Sequence, residues 1–497
     1  MFKNFPGYKL LEKIQKSNSH KRERKLPLNA IKLIFIVAIT SVIALLPTES
    51  FGIEGLTVVH QRIISLFVFA ALMWLTEAMP SWVTSMIVVT IMLLTVSTSA
   101  FNFLRPEDGA GLVPFKSIMA CFANPTIMLF IGGFVLAIGL TKVKLDVALA
   151  RVLLKPFGTR SEIVLLGFIL VTAIFSAFVS NTATAAMMLA FLTPVLKSLP
   201  ADGKGRIALA LAIPVGANLG GMITPIGTPP NMIALDYLSS QGMGISFVDW
   251  TIKMAPFVIV LLLLSWLLLR VLFPFKQKHI KIEIEGDIKW NRHTWSVVAA
   301  FAITIFMWMF GTDLWGVDTN VVAMIPIAIF CATGILTRRD LEEINWSVLW
   351  MVAGGFALGV ALNYKDASSV SLSSLIVNTV PFDNFSPLVV MILAGVICFG
   401  FSNFISHSAA TSLLVPVLGV VAGGLGSSLD SFGGPQAMLV GIAIASSVSM
   451  ILPISTPPNA IAHSTGFIEQ KDMMKVGIII GLMGLALGYA MLIFIGF

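Results

Sequence analysis

Apolar residues fall into runs near 33–46, 63–79, 82–97, 126–141, 162–178, 185–197, 207–220, 253–274, 294–311, 319–336, 346–362, 386–401, 409–424, 436–452 and 476–496. A helix of about 20 apolar residues spans a bilayer core, and roughly ten stretches reach that scale. Several runs are too short to cross alone. The pairs 162–178 with 185–197 and 386–401 with 409–424 each flank a small polar patch. Irregular backbone at membrane depth must be buried in protein or line a wet cavity, so each pair predicts a re-entrant hairpin. The pattern divides the chain into a basic cytoplasmic N-terminal segment, 1–30, and a first half, 31–275, with a hairpin around 162–197 and a broken helix around 207–239. A cytoplasmic linker, 276–292, leads to a second half, 293–497, with a hairpin around 386–420 and a broken helix around 436–464. The linker mixes Lys276 and Arg292 with Glu283, Glu285 and Asp287. Arg338, Arg339, Asp340, Glu342 and Glu343 form another water-facing connection.

An internal repeat sharpens this division. Gly132-Gly133-Phe134 recurs as Gly354-Gly355-Phe356, Ser180-Asn181-Thr182-Ala183 as Ser406-His407-Ser408-Ala409, and Thr228-Pro229-Pro230-Asn231 as Thr456-Pro457-Pro458-Asn459. The offsets are 222, 226 and 228 residues, in the same order. If the two copies begin on opposite sides of the membrane, they form an inverted-topology repeat, a common transporter design.

Proline lacks an N–H and breaks the helical ladder, so each Pro-Pro pair predicts a locally unwound helix. The freed carbonyls and the N-terminus of the next half-helix then form an ion or anion site. A single such element reads as a kink; two at matched repeat positions read as a binding site. At the hairpin tips, Ser180, Asn181, Thr182, Ser406 and Ser408 offer donors to a carboxylate and oxygens to a small cation. Alone, Ser-Asn-Thr is more often a cap or turn, and its weight here comes from the symmetry. No Arg or Lys lies within the tips or the predicted breaks, so an anionic substrate would be held by hydroxyls, amides and helix N-termini. His407 is an ionisable residue at membrane depth and hence a functional candidate, weighed against a neutral, hydrogen-bonded core histidine. Glu77, just before Pro80, reads as structural, paired with a local donor.

Composition agrees. The 497 residues are 57% hydrophobic and 11% charged, with mean hydropathy +0.93, where a soluble domain carries about 25% charged residues. Residues 1–32 hold nine Lys/Arg against Glu12 and Glu23; basic flanks mark the cytoplasmic side, which places the N-terminus there and disfavours nucleic-acid binding. The first apolar run begins only near Ile31 and no clear small-residue cleavage site follows, against a cleavable signal peptide. Cys121, Cys331 and Cys398 have no metal spacing and read as core residues. No Walker loop, metal-ligand spacing or nucleophile elbow is present, so the chain is not expected to be an enzyme and no cofactor is expected.

These motifs, with Leu75-Thr76-Glu77-Ala78-Met79-Pro80 and Leu452-Pro453-Ile454-Ser455-Thr456-Pro457-Pro458-Asn459-Ala460, resemble the divalent anion/sodium symporter family over almost the whole chain from about residue 30. The resemblance implies an all-α polytopic protein of about 11 transmembrane helices plus two re-entrant hairpins. It also implies a dimerising scaffold, a mobile transport domain moving like an elevator, and di- or tricarboxylate substrates such as succinate, malate, fumarate, 2-oxoglutarate or citrate. Carried over residue by residue, it implies a sodium site of Ser176, Ser180, Asn181 and backbone around Gly227. It implies substrate contacts from Ser180, Asn181, Thr182, Thr228, Pro229, Ser406, His407, Ser408, Thr456 and Pro457. The family's second tip reads Thr-Glu-Phe-x-Ser-Asn-Thr, where this chain has Ser402-Asn403-Phe404-Ile405-Ser406-His407-Ser408. His407 thus stands where the family has a sodium-coordinating asparagine. A protonated imidazole could supply the positive charge that sodium otherwise brings. The expectation is therefore a homodimeric, sodium-independent dicarboxylate exchanger in the plasma membrane, with a sodium-coupled symporter as the alternative and a drug pump or channel as a third, weaker one.

Overall fold

The computed structural model describes residues 26–107, 109–200, 203–280, 290–365, 370–381 and 384–497. The basic segment before residue 26 and most of the linker, with Glu283, Glu285 and Asp287, lie outside the described residues. The first half contains α1 (Leu26–Leu45), α2 (Val58–Thr76), α3 (Ser81–Thr95), α4 (Phe115–Ala120), α5 (Pro125–Lys142), α6 (Leu145–Leu154), α7 (Ser161–Ser176), α8 (Asn181–Ser198), α9 (Gly205–Gly220), α10 (Pro229–Ser240) and α11 (Phe247–Leu272). The second contains α12 (Arg292–Trp315), α13 (Thr319–Val322), α14 (Met324–Ala332), α15 (Arg338–Glu342), α16 (Trp346–Asn363), α17 (Leu372–Thr379), α18 (Pro387–Phe404), α19 (His407–Leu425), α20 (Gly434–Ser447), α21 (Pro457–Ser464) and α22 (Gln470–Phe494). Among the described residues the only extended pairing is two isolated bridges, Ser97 with Val113 and Arg160 with His279. Among the described residues the protein is all-helical, and eight helices there are long and apolar enough to cross a membrane.

Lipid is as apolar as leucine, so helices associate through close packing of small residues rather than through the hydrophobic effect. A β-carbon at Gly216 would lie 2.6 Å from the Ile169 carbonyl oxygen, and one at Gly220 would lie 2.4 Å from Ala173 Cα. Only glycine lets α9 approach α7 this closely. Every residue of α20 from Ala437 to Ser447 is buried, and α9 is buried almost throughout. A helix apolar on all sides belongs in the centre of a bundle. The Gly-Gly-Phe motifs do similar work across the halves. Gly132 on α5 packs on Ala323, where a β-carbon would sit 2.5 Å from its carbonyl oxygen, and Gly354 on α16 packs on Ser85 of α3, 2.4 Å from Cβ.

Three expectations change here. Cys331 is exposed, unlike Cys121 and Cys398; an apolar residue on a membrane helix faces lipid as readily as core. Glu77 is exposed at φ 46°, closing α2 in the left-handed region, and its carboxylate has no partner among the described residues. The 338–343 stretch is not wholly water-facing. Asp340 is buried and pairs with Lys142 Nζ at 2.5 Å, tying the end of α5 to α15. Burial alone would raise the Asp340 carboxyl, but hydrogen bonds from Lys142 and Thr337 outweigh it and hold it below the usual carboxylate range.

Candidate functional site

Four helices begin at the two tips and the two breaks. After α7, residues 177–180 turn the chain back into α8; after α18, Ile405 and Ser406 do the same into α19. Helix α9 stops at Gly220 and α10 starts at Pro229; α20 stops at Ser447 and α21 starts at Pro457. The residue before each start is Ser180, Thr228, Ser406 or Thr456, all extended and all bearing a hydroxyl. Such residues favour the N-cap because their oxygens accept from orphan N–H groups. Ser180 Oγ accepts from Ala183 N at 3.3 Å, Ser406 Oγ from Ala409 N at 3.2 Å, and Thr456 Oγ1 from Asn459 N at 3.2 Å. Thr228 makes no such bond, which leaves its hydroxyl available.

The two repeats interlock at this point. The returning arm α8 packs on α21, and α19 packs on α10, so each hairpin touches the half-helix after the break of the other repeat. Asn218 at the end of α9 donates through Nδ2 to Thr456 Oγ1 at 3.2 Å and to Asn459 Oδ1 at 3.0 Å. Both tips, both breaks and their four N-termini therefore belong to one assembly. Each helix N-terminus carries roughly half a positive charge, and no basic side chain is needed to hold an anion among them.

The breaks are held open by their own motif asparagines. Asn231 Nδ2 donates to the carbonyls of Gly221 at 3.0 Å and Thr224 at 2.9 Å. Asn459 Nδ2 donates to those of Met450 at 2.9 Å and Leu452 at 3.1 Å. Carbonyls that lost their helical partners are thereby satisfied, as buried backbone requires.

Among the residues expected at the sodium site, the structure brings Ser176, Asn181 and Gly227 together. Ser176 Oγ lies 2.6 Å from Asn181 Oδ1 and 2.7 Å from the Ala217 carbonyl, and its single hydrogen serves one at a time. Gly221 lies against the Asn181 amide: a β-carbon there would be 2.7 Å from Oδ1 and 3.2 Å from the Gly227 carbonyl. Gly227 in turn crowds the Gly221 carbonyl, 2.4 Å from its own absent β-carbon. The cluster holds more oxygen acceptors than donors, which suits a small hard cation. Ser180 instead spends its oxygen on capping.

The second tip departs from this chemistry. His407 Nε2 lies 2.5 Å from the Ser449 carbonyl, so that nitrogen carries the hydrogen and donates it. Ser449 and Gly221 stand 228 residues apart, the offset of the Thr-Pro-Pro-Asn motifs. An N–H···O contact therefore occupies in the second repeat the place that Asn181 occupies in the first. Thr182, Ser406 and Pro229 are half-buried, Ser408 and Thr228 buried, and Pro457 exposed.

Sequence reasoning missed Asn218, Gly221 and Ser449, and left Asn231 and Asn459 without a role. The two motif asparagines were visible in the repeat. Asn218 bonds across 238 residues, with no local signal.

Residues 28–496 match the family described as the sodium:sulfate symporter transmembrane region. The chain belongs to this family. An uncharacterized transporter of Haemophilus influenzae is 31% identical over 91% of this chain and 94% of its own length. The sodium-dependent dicarboxylate transporter SdcS of Staphylococcus saprophyticus is 28% identical over 85% of this chain and 83% of its own. The inorganic phosphate transporter PHO87 of Saccharomyces cerevisiae is 28% identical over 90% of this chain but 47% of its own length. The crystal structure of the YdaH transporter of Alcanivorax borkumensis superposes with a TM-score of 0.53 at 13% identity, over 86% of this chain and 97% of that one; it shares the fold. The family consists of transporters, and this chain is a multi-pass membrane transporter of small anions rather than an enzyme.

Proposed function

We propose that the chain carries C4 and C5 dicarboxylates across the plasma membrane, coupled to sodium bound at the Ser176–Asn181–Gly227 cluster. The observation that carries this reading is the convergence of four helix N-termini, each preceded by a hydroxyl residue, beside an oxygen-rich cluster that lacks any basic side chain. A dianion gains from several helix ends at once, and a cation bound beside it offsets the remaining charge. The sodium-dependent dicarboxylate relatives support the same substrate class. The sequence alone favoured sodium-independent exchange; the intact first cluster shifts the preference to symport. Exchange remains the second reading, favoured by the imidazole N–H that replaces a cation contact at Ser449.

Taking α9 with α10, α13 with α14, and α20 with α21 as single crossings gives eleven crossings and two hairpins. Helices α2, α3, α5, α9–α10 and α11 are five crossings, an odd number, so the second repeat starts on the opposite side and is inverted. The N-terminus is cytoplasmic in this arrangement, and the chain assembles as a homodimer by family resemblance.

The repeats are alike in order but not in contact. Gly355 on α16 packs against Ser412 of α19, 2.9 Å from Cβ, whereas Gly133 on α5 faces open space. This asymmetry supports a mobile domain docked on one side of a scaffold. In the opposite state Gly133 would meet Ala186, the counterpart of Ser412 at the 226-residue offset. The paired variants Gly355→Cys with Ser412→Cys, and Gly133→Cys with Ala186→Cys, should each cross-link and each arrest transport. Failure of the second pair to cross-link under turnover would refute the elevator movement.

Uptake of labelled succinate into proteoliposomes tests the coupling. A sodium gradient should drive uptake without internal substrate. Uptake that ignores sodium and requires internal dicarboxylate would favour exchange. Uptake of phosphate or sulfate but not succinate would overturn the substrate class.

A further inference from the structure

Away from the tips, a cavity of about 720 Å³ lies among the C-terminal turns of α10, the glycine face of α16 at Gly355 and Gly359, the start of α17, and Ser412 of α19. Asp236 lines it, held by the Thr126 hydroxyl, which donates to Oδ1 at 2.8 Å, and by the Asn124 side chain. Both partners are uncharged, and no ion pair formed by the described residues includes Asp236. Ser412 Oγ, on a residue 1% exposed, lines the same cavity and has no hydrogen-bond partner. On α10, Pro229, Ile233 and Asp236 follow the i, i+4, i+7 spacing of one helical face. This face runs from the break to the cavity.

A carboxylate without an ion pair, in a cavity joined to the break by one helix face, poses a physical difficulty for any anion that enters there. Ionised, it repels the dianion; protonated, it does not. The partners found around it are hydrogen-bond donors, and no cluster of three or more His, Cys, Asp or Glu side chains exists among the described residues. We propose that Asp236 binds a proton, and that the protonated form admits the substrate anion to the cavity while the ionised form holds it off. This rests on the dicarboxylate reading and adds proton control to it.

Among the described residues, the other titratable groups around Asp236 are few. The cavity also presents Cys121, Tyr237, Tyr364 and Lys365; Lys365 is exposed. Helix α20, packed on α10, carries none. Helix α19 carries only His407, at its far end and engaged by Ser449.

The test is succinate uptake by the full chain in proteoliposomes, with equal pH inside and outside, over a pH series. KM of the wild type should rise about tenfold or more from acidic to alkaline pH, as one like charge in a cavity permits, with kcat changing less. Asp236→Asn should keep the low KM at alkaline pH, and Asp236→Glu should keep the pH dependence. Protonation of succinate itself is common to all variants and cancels in the comparison. Thr126→Val removes a donor that favours the ionised carboxylate, so its rise in KM should move to higher pH. An Asp236→Asn protein with the wild-type profile overturns the proposal. If that variant fails to fold by size-exclusion chromatography, an unshifted Thr126→Val profile overturns it. No succinate uptake by the wild type at any pH instead overturns the dicarboxylate reading, and proton control of that substrate with it.

Discussion

Asn181→Ala lowers sodium-driven succinate uptake by about tenfold or more while the protein still inserts and elutes as a folded species. Asn181 Oδ1 accepts from Ser176 at 2.6 Å and its amide lies against Gly221. Alanine removes an oxygen from the cation cluster and leaves buried polar groups unpaired. That costs about 1–3 kcal/mol, or about 5- to 150-fold in occupancy. The fold should survive because Asn181 is the first residue of α8, whose cap is Ser180 rather than Asn181. The sodium concentration for half-maximal uptake should rise more than KM for succinate at saturating sodium. Near-normal uptake with unchanged sodium dependence would remove Asn181 from the cation site. Loss of folded protein would mean that the residue holds the hairpin tip instead.

The second large effect is expected at His407. Its Nε2–H donates to the Ser449 carbonyl, at the place related by the repeat to Gly221 beside Asn181. His407→Asn exchanges an N–H donor for an amide that presents an oxygen and matches the first tip. Under symport, the variant should gain a second oxygen site, and its sodium activation curve should become steeper than that of the wild type. Under exchange, the wild type should be indifferent to replacement of sodium by choline. The variant should then lose exchange and acquire sodium sensitivity. The measurement is initial uptake against sodium concentration, with and without internal succinate. Identical sodium curves for the two proteins would show that His407 has no part in coupling and acts only as a hydrogen-bonded core residue.

Much of the site was legible because its local chemistry is written in consecutive residues. A hydroxyl residue before Asn181, Pro229, His407 or Pro457 prepares a helix start, and each Pro-Pro pair occupies the first turn of the half-helix that follows the break, where a missing N–H costs nothing. The repeat offsets then marked which short motifs to take seriously. Other features were not legible. Glu77 was expected to pair and instead caps α2 with an exposed carboxylate. Cys331 was expected in the core and lies on the surface.

By itself, the sequence determined that this is a helical membrane protein, where its helices break, and which polar residues stand at the breaks. Composition and proline placement act through solvation and backbone geometry, which need no distant partner. Only the tertiary structure decided which of those residues meet. Asn218 reaches Thr456 across the repeats, Gly221 and Gly227 close one break upon Asn181, and Asp236 comes to line a cavity with Ser412. Such meetings depend on how closely two backbones pass. That distance is set by glycines and crossing angles of helices far apart in the chain, not by the residues beside each site.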